Sequence, residues 1–191
     1  MKKLFFVISI FFLSITSSFA VFFVEAQGDY ISLGEFDPVS GGAAGLGFSF
    51  TDDLNFLIKF STASNTEKEG EIDELKIKYT SLTGGIEYIP PIAELEAYRI
   101  YWKNSLNVGA SIIEGEQPEL DGGEHTEDGY ILSFWTGLQF NLTQTISPYF
   151  SLGYQKSFYS SGADLSVKGW QAAFGVRFYI CGSRDYEAGY E

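Results

Sequence analysis

From residue 21 onward the chain alternates: apolar side chains recur at every second position, and that period of two limits what it can build. Ala44, Leu46, Phe48 and Phe50 share one face of a run whose other face carries Gly45, Gly47, Ser49 and Thr51. After Asp52-Asp53 the pattern resumes, with Leu54, Phe56, Ile58, Phe60 and Thr62 against Asn55, Leu57, Lys59 and Ser61. Two alternating runs around an Asp-Asp turn predict a β-hairpin. No window shows the apolar spacing of an amphipathic helix, and none is apolar for the roughly 18 residues of a helical membrane span.

The same reading predicts eight strands, near 22–36, 43–51, 54–64, 75–89, 97–113, 129–142, 148–159 and 168–180. Strands this long and apolar would aggregate through an open edge, so the sheet has to close. The expected fold is all-β, an eight-stranded antiparallel up-and-down barrel. Alternation alone fits both a soluble lipocalin-like carrier, apolar inside, and a transmembrane β-barrel, apolar outside. Three features favour the second. The polar face is rich in Gly, Ser, Asn and Gln with single charges of both signs, which suits a filled lumen better than a solvent face. Large aromatics on the apolar face, such as Phe60, Tyr88, Tyr98, Tyr130, Phe150 and Phe178, stand near strand ends, where interfacial girdles form. The links after strands 2 and 6 are short, whereas those after strands 3, 5 and 7 are longer and polar. The links after strands 1 and 4, the latter over 90–96, blur that rule without breaking it.

Residues 1–20 read as a secretory signal peptide: Lys2-Lys3, an apolar run from Leu4 to Leu13, then small residues at Ser18 and Ala20. Residues 21–180 form the barrel, and 181–191 a C-terminal tail. The formal charge of -13 repels phosphates, which excludes nucleic acid as a partner. A single cysteine, Cys181, rules out an internal disulfide and a Cys-based zinc site. No cofactor is expected.

On its leader, periodicity and strand count, the chain resembles the small eight-stranded outer-membrane barrels, such as the transmembrane domain of OmpA and OmpX. The resemblance covers the whole mature chain. It implies an outer-membrane location in a Gram-negative cell, with membrane lipid and the barrel-insertion machinery as partners. Such barrels usually end on an aromatic residue, whereas here Phe178-Tyr179-Ile180 is followed by eleven more residues.

Candidate chemistry is sparse. Glu25, Asp29, Lys59, Glu87, Arg99, Lys103 and Arg177 fall on the polar face and are expected to pair as a lumen charge network, with Glu87 and Glu25 the partners of Arg99 and Arg177. A lumen lined by eight strands is filled by side chains, which disfavours an open pore. The stretch 114–128 carries Glu114, Glu116, Glu119, Asp121, Glu124, Glu127 and Asp128 with no base, and is expected to be a mobile, external loop. It offers hard oxygen ligands to a divalent cation or a basic extracellular partner, though without the acid spacing of an EF-hand, so no metal site is assigned. His125 is the sole histidine. Outer-membrane lipid A deacylases resemble the chain in size and strand number and use a His-x-Ser pair, but here the stretch is His125-Thr126-Glu127, so no catalytic residue is assigned. The reading is a non-enzymatic barrel that presents acidic surface loops, with a structural, adhesive or partner-binding role. The alternatives are a lipid-modifying enzyme and a lipocalin-like carrier.

Overall fold

The computed structural model describes residues 21–33, 36–67, 75–95, 98–116, 125–159 and 168–181. Nine strands follow in chain order: β1 (Phe22–Leu33), β2 (Phe36–Ser49), β3 (Leu54–Glu67), β4 (Leu75–Tyr88), β5 (Pro91–Leu95), β6 (Tyr98–Glu116), β7 (His125–Asn141), β8 (Ile146–Tyr159) and β9 (Lys168–Cys181). All pair antiparallel in the order β4-β3-β2-β1-β9-β8-β7-β6-β5, and β4 also pairs with β6. That last pairing closes eight strands into a barrel and leaves β5 as a short spur on the end of β6.

The register fixes the barrel's shape. Partners followed from Phe178 through Val24, Leu46, Ile58, Gly84, Val108, Leu132 and Lys156 return to β9 at Lys168, ten residues from the start (178 − 168 = 10). Ten residues of ~3.3 Å against eight strand spacings of ~4.8 Å give a tilt of about 41°, within the range of closed barrels. Every pairing in this ladder joins residues of equal parity, so one parity faces inward all the way round. Even-numbered side chains such as Leu46, Ile58, Leu106, Val108, Leu152 and Phe174 are exposed, while odd-numbered ones such as Asn55, Lys103, Gln155 and Arg177 are buried.

The outer surface is therefore an apolar belt. Along the climbing register, Phe22, Tyr88, Trp102 and Phe178 ring one end, and Tyr30, Tyr130, Phe158 and Trp170 the other. Eight residues of tilted strand separate the rings on β1 and on β9, roughly 20 Å, which fits within the ~25 Å apolar band of a transmembrane barrel. A lipocalin-like carrier would place these side chains inside, so the carrier alternative is overturned.

The described ends Val21 and Cys181 and the links 50–53 and 142–145 lie at the first rim, as does β5, and the opposite strand ends make the second rim. The two tight turns of the first rim share a device. Thr51 Oγ1 accepts hydrogen bonds from the amides of Asp53 and Leu54, and Thr143 Oγ1 accepts from those of Thr145 and Ile146.

Several strand limits differ from the sequence expectation, and three departures bear on the site. β2 begins at Phe36, not 43, because Val39 through Gly42 pair with β1 despite Pro38 and two glycines. β6 and β7 run on to Glu116 and from His125, so Glu114, Glu116, Glu127 and Asp128 belong to a paired hairpin and not to a free loop. Glu119, Asp121 and Glu124 lie outside the described residues, as do the expected signal peptide and the tail beyond Cys181. Cys181 itself closes β9 against Phe22. The stretch 90–96, expected as a link, contains β5.

An arginine at mid-belt has to reach across hydrocarbon, whereas one at a rim reaches water. Phe174→Arg is expected to destabilise the barrel by about 2–4 kcal/mol and Tyr88→Arg by about 0–1 kcal/mol in urea unfolding from lipid vesicles. Equal losses at the two positions would contradict this placement of the belt.

Candidate functional site: the lumen and its two mouths

Inside the barrel, four charged side chains from four strands meet. Glu25 on β1 stands directly opposite Arg177 on β9, and their side chains pair at 2.7 Å. Lys103 on β6 pairs with Glu87 on the neighbouring β4 at 3.1 Å. These two wall pairs are then joined across the lumen: Arg177 Nη2 reaches Glu87 at 2.6 Å and Lys103 Nζ reaches Glu25 at 3.1 Å. Each cation thus bridges both carboxylates, and all four residues are 5% exposed or less. Removing an ion from water costs several kcal/mol, and here alternating opposite charges offset that cost within a neutral set.

Aromatic rings back the cations. Lys103 Nζ lies 3.7 Å from the centre of the Tyr149 ring and Arg177 Cζ 3.8 Å from that of Phe23. Space for these side chains comes from glycines directly across the ladder. A Cβ on Gly45 would meet Glu25 at 2.9 Å, and one on Gly175 would meet the Tyr149 ring at 2.6 Å. Asn55 Nδ2 donates to Glu87 at 3.4 Å, and Ser49 Oγ donates to Asn55 at 2.7 Å.

One layer outward, Lys59 lies over the Trp135 ring, and Asp29 accepts hydrogen bonds from Ser61 Oγ and Gln27 Nε2. Tyr149 Oη donates to Gln27 Oε1 at 2.7 Å, tying this layer to the charged set below. A cavity of about 20 Å³ lies here, lined among others by Asp29, Lys59, Ser61, Trp135 and Gln155. It has room for about one water molecule. With Lys59 and Asp29 included, the buried charges still sum to zero, three of each sign.

Apolar side chains close both mouths. Phe23, Leu57 and Tyr179 pack together at the rim that carries the chain ends. Ile31, Val39, Ala63, Ile77, Tyr79, Ile113 and Ile131 fill the opposite end. Apolar groups thus share the inward face with polar ones at both ends, where Gln139, Asn141 and Ser147 are buried near the first rim and Ser111 and Ser157 near the second, and the lumen is not the uniformly polar one that alternation suggests.

The structure brings together six of the seven charges expected in the lumen. Arg99 is the correction: it lies on the part of β6 that runs past the closed wall, and it bonds Glu94 of β5, with Nε at 2.8 Å. Glu87, expected as its partner, is held by Arg177 and Lys103. Sequence reasoning missed the rings of Tyr149, Trp135 and Phe23, although their odd numbers on alternating strands already placed them inward. At the other rim, Lys78 pairs with Glu114 at 2.8 Å on the β4–β6 ladder. Among the described residues, no group of three or more His, Cys, Asp or Glu is arranged to hold a metal ion.

A closed antiparallel barrel of eight strands, apolar outside and packed with compensated charge inside, is a transmembrane β-barrel. Comparison with solved structures agrees on the fold. The neisserial surface protein A superposes with a TM-score of 0.56 at 14% identity, over 85% of this chain and 98% of that one. The outer-membrane protein OprG of Pseudomonas aeruginosa matches with a TM-score of 0.54 at 11% identity, over 85% and 96%. Ail, the attachment invasion locus protein of Yersinia pestis, in complex with the heparin analogue sucrose octasulfate, matches with a TM-score of 0.51 at 16% identity, over 84% and 97%. No family model matches the chain, and no curated protein matches it either. The fold is that of the small outer-membrane barrels.

If the four-charge set is a unit, its members are coupled. Arg177→Met leaves two buried carboxylates facing one lysine and is expected to cost about 3–5 kcal/mol. Adding Glu87→Gln restores neutrality, so the double variant should be more stable than the sum of the single losses requires, by about 1–3 kcal/mol in urea unfolding. Strict additivity would show that the pairs act independently.

Proposed function

We propose that the protein is an outer-membrane barrel of a diderm bacterium, exported by the leader over 1–20, which catalyses no reaction and works through its outward-facing hairpins. The observation that carries this reading is the sealed lumen. With an apolar cluster at each mouth and a neutral ion-pair set between them, the interior supports neither conduction nor carriage of a ligand. The working surfaces are then the rims. With the rim of Val21 and Cys181 taken as periplasmic, β6–β7, the longest hairpin among the described strands, projects at the cell surface with Glu116, Glu127 and Asp128 on paired strands.

A stiff, acid-bearing hairpin suits adhesion or partner binding, with a divalent cation or a basic extracellular partner as its counterpart. In sequence, the stretches between β3 and β4 and between β6 and β7 add Glu69, Glu71, Asp73, Glu74, Glu119, Asp121 and Glu124 against Lys68 alone. This balance disfavours a polyanion such as the sulfated ligand in the Ail complex. A lipid-modifying enzyme would need a histidine on the barrel wall beside an activated hydroxyl, and His125 stands at the far end of β7 opposite Gly115.

The topology is tested with single cysteines in a Cys181→Ser background and a membrane-impermeant maleimide on intact cells. Glu127→Cys should label at once and Asp53→Cys only after the outer membrane is opened; the reverse order would place the acidic hairpin in the periplasm and end the surface reading. Outer-membrane fractions should also show heat-modifiable migration on SDS gels. In planar bilayers the refolded protein should give no steady conductance, and a steady open level would refute the sealed lumen.

A further inference from the structure

The spur that leaves the closed wall is the feature the barrel does not need. β5 continues the line of β4 past Tyr88: Tyr88 pairs with Asn104, Trp102 N donates to Pro90 O at 2.9 Å, and Pro91 through Leu95 pair with Tyr101 back to Tyr98. β6 is covered on its other side by β7, through Arg99↔Asn141 and Tyr101↔Gln139. β5 is covered by a strand on one side only among the described residues. Among the described strands it pairs with β6 alone, and all five of its residues are exposed. Ile92 and Leu95 stand in solvent at about half exposure, 54% and 48%.

Where β3 would flank β5, the wall ends in the turn 50–53, tied back by Ile89 N donating to Asp53 O at 2.8 Å. Between that turn and the spur lies a cavity of about 270 Å³, lined by Asp52, Asp53, Pro91, Ala93, Glu94, Arg99 and Tyr101. Three carboxylates face one guanidinium there, and the guanidinium is bonded to Glu94. The volume falls below the range of sites for drug-sized ligands and suits one long side chain.

An open strand edge is a template for a further strand, with main-chain hydrogen bonds for affinity and side-chain pockets for specificity. Proteins guard such edges with proline and charge, and Pro91 and Glu94 restrict this one without covering it. We infer that the free edge of β5, with the acidic cavity beside it, docks an extended basic segment of a periplasmic protein, which adds as a strand and places a lysine or arginine in the cavity. A second copy of the chain is disfavoured, because edge-to-edge pairing would bring Glu94 and the 52–53 acids of both copies together. The chain's own residues 182–191 carry three acids and one base, the same sign as the cavity. Naming the periplasm rests on the outer-membrane reading above; the edge and the cavity do not.

The test uses the full chain refolded into phosphatidylcholine nanodiscs, with empty discs as blank, and fluorescence anisotropy of three labelled peptides. One alternates valine and lysine, the second replaces each lysine by glutamate, and the third keeps the lysines but replaces alternate valines by proline. The first should bind, and the other two should bind at least about tenfold more weakly. Asp52→Asn with Asp53→Asn in one chain should weaken the first peptide by about tenfold while heat-modifiable migration stays unchanged. Equal binding of the proline peptide would reduce the effect to charge attraction and overturn strand addition. Equal binding of the glutamate peptide, or indifference to the aspartate variants, would overturn the cavity's role. Displacement of the first peptide by calcium chloride alone would assign these acids to a cation. A disulfide dimer of Ala93→Cys in the Cys181→Ser background, formed without peptide, would assign the edge to self-association. All these readouts are independent of location, so failure of the topology reading appears only in the labelling experiment.

Discussion

In hydrocarbon no water is available to satisfy a backbone amide, so each must find its partner within the protein, and for strands that means closure. The β4–β6 ladder supplies it, and much else follows from the offset at which the ring closes. A shift of ten residues sets the tilt, the tilt sets the girth, and the girth leaves a lumen only as wide as the side chains that fill it. Large inward groups then need small ones opposite, hence the cross-ladder placement of Glu25 over Gly45, Phe23 over Gly47, Trp135 over Gly153 and Tyr149 over Gly175. Charges enclosed there have to cancel, and they do so in alternating contact.

The split between inner and outer faces was legible in the sequence because parity survives any small error in strand ends. Asn55, Lys59, Glu87 and Arg177 fall inward whether a strand starts two residues early or late. Limits were less legible where glycine or proline carries a different meaning from the one it has in a soluble protein. Gly41 and Gly42 sit inside β2 as close-packing positions, and Pro91 opens a strand that, among the described strands, has a partner on one side only. The hairpin over 114–128 hid behind its charge: acids that read as a repelled loop are tolerated on strands standing clear of the bilayer, and Lys78 meets one of them.

Charge partners were legible only in part, for a geometric reason. Glu25 and Arg177 are ladder neighbours, and Glu87 and Lys103 are diagonal neighbours, so a correct register would have paired them. The links from Arg177 to Glu87 and from Lys103 to Glu25 span the lumen, and no sequence period reports which side chains meet across a closed ring. Arg99 was misplaced because its parity is right but its height is wrong. It lies past the last β4 residue of the wall, between Glu94 of the spur and Asn141 of β7.

Sealing the lumen also shapes the two rims differently. At the second rim the strands continue beyond the belt, and Ile31, Val39, Ile77, Ile113 and Ile131 give that end an apolar core of its own. The β6–β7 hairpin therefore rises from a packed platform, as paired strands whose ordering cost folding has already met. At the other end the turns 50–53 and 142–145 are cut short by their threonines, which leaves β5 and its β6 partner as the one described element that stands proud of the wall. A barrel that needed only to span the membrane would have turned directly from β4 into β6. The extra strand pair, like the β6–β7 extension, is something that spanning alone does not explain, and its exposed edge is the physical consequence.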